Sequence, residues 1–99
     1  MVKYIHYMTK EQYLLTVLSE ECNEVGQRCS KAIRFGMNET QPSKDQTNFE
    51  RLSAEFQDLI AVADLLGLSI DSERVEAKKR KIEKYGKYSK ELGILKENL

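Results

Sequence analysis

Apolar residues recur along this chain at helical spacing, and the breaks between them fall at residues that start or stop helices. Between Thr9 and Phe35, the residues Leu14, Leu18, Cys22, Val25, Cys29 and Ala32 follow one another by three or four positions, which is the signature of one helix face. Thr9 with Gln12 three residues on makes a capping box, and Gly36 is the stop. Residues 36–45 include Met37, Asn38, Thr40, Pro42 and Ser43 and read as a loop. A second capping box, Thr47 with Glu50, opens a helix that carries Leu52, Phe56, Leu59, Ala63 and Leu66 and ends near Gly67. Ser69 or Asp71 then starts a third, polar helix reaching about Tyr85, with Gly86 as its stop. Residues 1–8 form an N-terminal arm. Residues 88–99 form a tail, either a short fourth helix around Leu92, Ile94 and Leu95 or a partly disordered end. Nothing reads as a long strand, so the fold class is all-α and the chain is one domain over residues 1–99.

The phase of the two apolar stripes places a set of acids. With a turn of about 100° per residue and Leu18 at zero, Leu14, Cys22, Val25, Cys29 and Ala32 fall within about 40° of one line. Glu21 then lies about 60° and Glu24 about 120° to one side. On the second helix, with Leu52 at zero, Phe56, Leu59, Ala63 and Leu66 define the stripe, while Glu55 and Asp58 lie about 60° and 120° to the same side. Packing the stripes together lines a groove at the edge of the core with carboxylates. Carboxylates beside a core are penalised by desolvation unless something compensates them. One outcome is a solvated, salt-bridged helix face. The other is a nest of hard oxygen ligands suited to Mg²⁺ or Mn²⁺.

Composition narrows the partners. The chain has 99 residues, 40% of them hydrophobic and 32% charged, with sixteen basic and sixteen acidic side chains. A cancelled net charge gives no general pull toward nucleic acid or membrane. From Arg74 to Lys90, however, eight Lys or Arg stand against two Glu, a segment that suits a polyphosphate. A domain this size buries only about 60–65% of its unfolded surface, which favours association of copies. No run approaches the roughly 18 apolar residues of a membrane span, and no signal-peptide core precedes the first helix, so the cytoplasm is the default location. Cys22 and Cys29 are seven apart on one helix, about 10 Å along its axis, too far for an intrachain disulfide. They read as small buried apolar side chains in a reducing compartment. The single histidine, His6, reads as an exposed side chain of the arm, and no Ser-His-Asp or Cys-His constellation can form around it. The five glycines make no phosphate-binding loop.

These residues resemble a known family. The E-E-x-x-E run of Glu20, Glu21 and Glu24, the E-x-x-D run of Glu55 and Asp58, the apolar stretch after it and the basic segment are similar to the MazG-like all-α nucleoside triphosphate pyrophosphohydrolases. Ser30-Lys31-Ala32-Ile33-Arg34-Phe35-Gly36 and Thr47-Asn48-Phe49-Glu50-Arg51-Leu52 look like the short single-domain members, bacteriophage ones included. The resemblance covers roughly Thr9 to Lys87 and implies a helical bundle completed by oligomerisation, as a homodimer or homotetramer. It implies Mg²⁺ held by Glu21, Glu24, Glu55 and Asp58, with Mn²⁺ as a substitute. Glu20 is implied as a supporting residue, and Glu20 or Glu24 as the group that takes a proton from water. Basic residues are implied at Arg51 and, in the third helix, at Lys81 and Lys84.

The chemistry implied is hydrolysis of a (deoxy)nucleoside triphosphate to the monophosphate and pyrophosphate. Water attacks the α-phosphorus, and lysines neutralise the departing pyrophosphate. Lys31, on the same flank as Glu24, and Arg34, near the helix end, are further candidates for phosphate. Asn48 reads as a helix cap. Tyr85 and Tyr88 read as packing against the tail, with base stacking the alternative. The location implied is the cytoplasm, or the host cytoplasm for a phage protein. Three other readings stay open: a dUTP, dCTP or phosphoribosyl-ATP pyrophosphatase, a non-enzymatic helical oligomer with structural acids, and a nucleic-acid patch at Lys78 to Lys90.

Overall fold

The computed structural model describes residues 7–99. His6 and most of the N-terminal arm lie outside the described residues. Among the described residues there are three helices, α1 (Lys10–Phe35), α2 (Asn48–Leu65) and α3 (Ser72–Glu91). No strand occurs among the described residues beyond an isolated antiparallel bridge between Thr40 and Thr47. The chain divides into two compact units, one ending at Leu68 and the other running from Ser69 to Leu99.

In the first unit α1 and α2 form an antiparallel hairpin. Both capping boxes close as the sequence dictates. Thr9 accepts from the Gln12 N–H while Gln12 accepts from the Thr9 N–H, and Thr47 and Glu50 repeat the exchange. Gly36 ends α1 with φ 99°, and its N–H reaches the Ala32 carbonyl. This is a backbone conformation that a side chain would strain. The loop then returns through a tight turn in which Lys44 N–H donates to the Gln41 carbonyl. Asn48, which reads from sequence as a cap, does something else. Thr47 is the cap, and the Asn48 side chain is 3% exposed, donating to the Gly36 carbonyl at 2.8 Å and to Glu39 Oε1 at 2.9 Å. Together with Phe49 N–H to Met37 O and Asn48 N–H to Glu39 O, it clamps the loop to the start of α2.

The seam between the helices is phased differently from the apolar stripe. Val17, Lys31, Arg51 and Ala63 are half-buried flanking positions, and the seam itself runs through Leu14, Leu18, Glu21, Val25, Arg28 and Ala32 on α1, and Asn48, Leu52, Glu55, Leu59, Val62 and Leu66 on α2 and its cap, all buried or half-buried. Both sets step alternately by four and three, the 3.5-residue period of coiled-coil packing. Their centre lies roughly 40° from the stripe centre, turned toward the acids. Cys22 and Cys29 are therefore exposed in this chain rather than buried, and Phe56 is exposed with them. Among the described residues the buried apolar core is only Leu14, Ala32 and Val62.

The second unit is α3 with its tail. Asp71 caps the helix by accepting from the Arg74 N–H, and Lys90 sits in the last turn, where a cation complements the helix dipole. Gly86 does not stop the helix, which continues to Glu91 and takes the first residues of the expected tail with it. A stretch of good helix formers carries it through, and the turn comes at Gly93, with φ 82°. The tail forms no fourth helix. It folds back so that Leu95 and Leu99 lie over Gly86, and a Cβ there would collide with the Leu99 side chain. Gly86 is a place of close approach. Lys90 donates to Asn98 in the same fold-back. Tyr85 and Tyr88 stay exposed instead of packing under the tail.

Candidate metal centre

Three carboxylates from two helices converge in the middle of the hairpin. Glu21 and Glu24 come from successive turns of α1 and Glu55 from α2, and one oxygen from each lies within 4.8 Å of the others. The helices deliver them because residues three apart share a side, and because the seam turns toward that side. Glu21 and Glu55 are half-buried, closer to the seam than an edge groove implies, while Glu24 is exposed. Asp58, the fourth acid of the expected set, is exposed and outside the 4.8 Å cluster. It is near enough for its charge to push up the carboxyls of both Glu21 and Glu55. Glu20 faces solvent and acts on Glu21 only through its charge.

The cluster is electrostatically strained. Burial, first, and then the charges of Asp58, Glu55 and Glu20 raise the Glu21 carboxyl above the ordinary 4.5 of a glutamate. Glu55 is raised too, chiefly by a hydrogen bond with the Glu24 carboxyl, then by burial and by the charges of Glu24 and Asp58. Two carboxyls can share such a bond only when one keeps its proton. Oε2 of Glu21 and Oε2 of Glu55 are buried with no hydrogen-bond partner, a costly state for an anionic oxygen.

Among the described residues one cation answers them in part. Arg28 Nε stands 4.0 Å from Glu55 Oε1 and lowers the Glu55 carboxyl, while Arg28 Nη1 is itself buried without a partner. Sequence reasoning passed over Arg28. The signal was present, because Arg28 is one turn beyond Glu24 and two beyond Glu21, on the same flank of α1.

The other basic candidates are placed as follows. Lys31 is half-buried on α1, and Arg34 is exposed in its last turn with its guanidinium 4.9 Å from the Phe35 ring centroid. Arg51 is half-buried, one turn before Glu55, and donates from Nη1 to Gln41 Oε1 at 2.7 Å, bracing the loop. In the second unit, Lys81 lines a surface hollow with Arg74 and Lys78, whereas Lys84 borders a different one with Tyr85 and Tyr88. The three lysines therefore curve round α3 rather than forming a straight row.

The donor set fits a hard divalent cation. Three carboxylates at one point, two of them with free buried oxygens, supply the anionic oxygen ligands that Mg²⁺ and Mn²⁺ take, and the triad contains no soft sulfur ligand. Compared with known protein families, curated proteins and solved structures, the chain matches none. No helix among the described residues is long and apolar enough to cross a membrane.

Proposed function

We propose that this chain is a Mg²⁺-dependent nucleoside triphosphate pyrophosphohydrolase, releasing pyrophosphate from a (deoxy)nucleoside triphosphate. In this reading it serves the nucleotide pool of the cytoplasm as a homodimer or homotetramer. The observation that carries the reading is the pair of buried, unpartnered oxygens of Glu21 and Glu55 beside Glu24. A purely structural acid cluster would neutralise itself within the chain. Arg28 at 4.0 Å does so incompletely, leaving both Oε2 atoms without partners.

Glu21, Glu24 and Glu55, with Asp58 beside them, hold the cation, which when bound supplies charge neutralisation and an activated water. The remaining work falls to side chains. Glu24 or Glu20, both exposed on α1, accepts the proton of the attacking water. Lys31, Arg34 and Arg51 carry positive charge to the phosphates, and Lys81 and Lys84 of α3 are proposed as further cations for them. The chain's glycines offer no phosphate loop of the kind that serves γ-phosphate transfer, so attack falls at the α-phosphorus. Hydrolysis in ¹⁸O-labelled water is expected to put the label in the nucleoside monophosphate. Labelled inorganic phosphate with a diphosphate product would overturn the reading.

The lysines make a separate prediction. Changing Lys81 and Lys84 together to Ala is expected to lower kcat/KM by about tenfold or more, on the order of 1.4 kcal/mol of transition-state stabilisation. Mg²⁺ binding, followed by thermal shift, should hardly move, since no ligand is touched. Unchanged kinetics would leave the phosphate to Lys31, Arg34 and Arg51.

A further inference from the structure

Of the five Lys and Arg in α1 and α2, four lie between the acid triad and the loop, namely Arg28, Lys31, Arg34 and Arg51. Between Tyr13 and Glu20 on α1, and between Asp58 and Leu65 on α2, there is none. Three of the four also share the flank of the acids. By the rotation that puts Glu21 about 60° and Glu24 about 120° from Leu18, Arg28 falls at about 80° and Lys31 at about 140°, and Arg51 falls at about 100° from Leu52. All three are half-buried. The flank is therefore polar along its length, with carboxylates at the middle and cations toward the loop.

Arg28 is the innermost of these cations. It stands four residues beyond Glu24, about 6 Å along the helix, and its side chain is 19% exposed. A guanidinium carries five N–H donors in one plane and pairs best with an anion through two parallel hydrogen bonds. Arg28 makes no such pair. Its Nε is 4.0 Å from Glu55 Oε1, beyond hydrogen-bond length, and its Nη1 is buried without an acceptor. Glu21 Oε2 and Glu55 Oε2 are buried without a donor, so cation and anions lie close and leave their bonds open. Buried groups in that state are costly, and an ion pair that served stability alone would close.

From this geometry we infer that Arg28 is a phosphate-binding residue that changes partner. It balances Glu55 while the triad is free of metal, and it donates to a phosphate oxygen of the ligand when a cation takes Glu55. The exchange follows from charge. A divalent cation at Glu55 neutralises the carboxylate that attracts Arg28 and repels the guanidinium at the same time. The anions left to satisfy it are the phosphates that share the cation, and Lys31 and Arg51 draw those toward the loop, on Arg28's own side of the triad. A planar fork fits two oxygens of one phosphoryl group. The inference rests on the cation and the phosphate of the proposed function, and not on turnover.

The test is calorimetric and uses the full chain with two probes, Mg²⁺ alone and inorganic pyrophosphate at saturating Mg²⁺. Arg28→Met keeps an apolar stem and removes the charge and the donors, whereas Arg28→Lys keeps the charge and removes the fork. In Arg28→Met, Mg²⁺ alone is expected to bind about threefold or more tightly, because a competing cation has left Glu55. Pyrophosphate is expected to bind that variant about tenfold or more weakly. In Arg28→Lys, Mg²⁺ should bind within about twofold of the parent and pyrophosphate about threefold or more weakly. A residue that only supports the helices would weaken both ligands in Arg28→Met, and one that only balances Glu55 would leave pyrophosphate binding unchanged. Either result overturns the inference. Should Arg28→Met lose its helical circular dichroism, Arg28→Lys decides, and parental pyrophosphate affinity there overturns it as well. So does a parent that binds Mg²⁺ but no pyrophosphate. A parent that binds both and hydrolyses no nucleoside triphosphate would strike the proposed reaction and leave Arg28 with the phosphate.

Discussion

Glu21→Ala and Asp58→Ala are each expected to lower Mg²⁺-dependent nucleotide turnover at least a hundredfold, about 2.7 kcal/mol of transition-state stabilisation, while leaving the metal-free protein as stable as the parent or more so. Both halves of that expectation come from the same crowding. Burial, and then the charges of Asp58, Glu55 and Glu20, raise the Glu21 carboxyl above its ordinary value. Removing it, or removing Asp58, relieves repulsion in the absence of metal. With Mg²⁺ at a hundred times its Kd the parent gains about 2.7 kcal/mol by mass action, and the variants should lose most of that gain.

The sign of the pH dependence follows. Glu21 and Glu55 hold protons more tightly folded than unfolded, so their ionised forms oppose folding at neutral pH. That opposition is relieved as the pH falls through their raised values toward 4.5. Glu50 has the opposite sign. Hydrogen bonds from Thr47 lower it, so its contribution is complete above 4.5 and lost only below. The metal-free parent should therefore melt higher at about pH 5 than at about pH 7, and Glu21→Gln should remove much of the difference. Near-normal turnover in either alanine variant, or a parent that melts lower at pH 5, would contradict the assignment.

The elements whose signals are local were legible in the chain. Both capping boxes and the Gly36 stop depend on residues within four positions of one another, and the structure forms them as the sequence dictates. The acid triad was legible for the same reason, since a three-residue spacing on each helix sets the side to which its acids point. The phase of the seam was not. The apolar residues of α1 fall into two groups, one packed against α2 and one on the open face with Leu15, Cys22, Cys29 and Ile33. A stripe drawn through both groups points between them, at Leu18. That averaging is why Cys22 and Cys29 read as buried and why Glu21 and Glu55 read as lying at an edge. Gly86 shows the same limit differently. A glycine stops a helix or admits a close neighbour, and only the returning tail tells which.

Asn48→Ala is expected to destabilise the protein by about 2–4 kcal/mol, the cost of deleting a buried side chain that donates to two part-buried acceptors, and to lower the thermal midpoint by about 10 °C or more. Few single side chains hold so much of the hairpin together. Its one amide group donates to the last carbonyl of the α1 stop, Gly36, and to the carboxylate of Glu39, and it is nearly inaccessible to water. Those bonds fix where α2 begins relative to where α1 ends. Through the rigid helices they set the level of Glu55 against Glu21 and Glu24, seven residues beyond Asn48 on the same face of α2. The loss should therefore reach the acid triad proposed to hold the metal. In Asn48→Ala the Mg²⁺-induced rise in midpoint should shrink along with the midpoint itself, although no acid is altered. Asn48→Asp should be worse, since it replaces both amide N–H donors with acceptor oxygens and brings a second carboxylate to Glu39. A variant melting within about 2 °C of the parent, less than 1 kcal/mol on this scale, would mean that the backbone bonds of the loop hold α2 in place without the side chain.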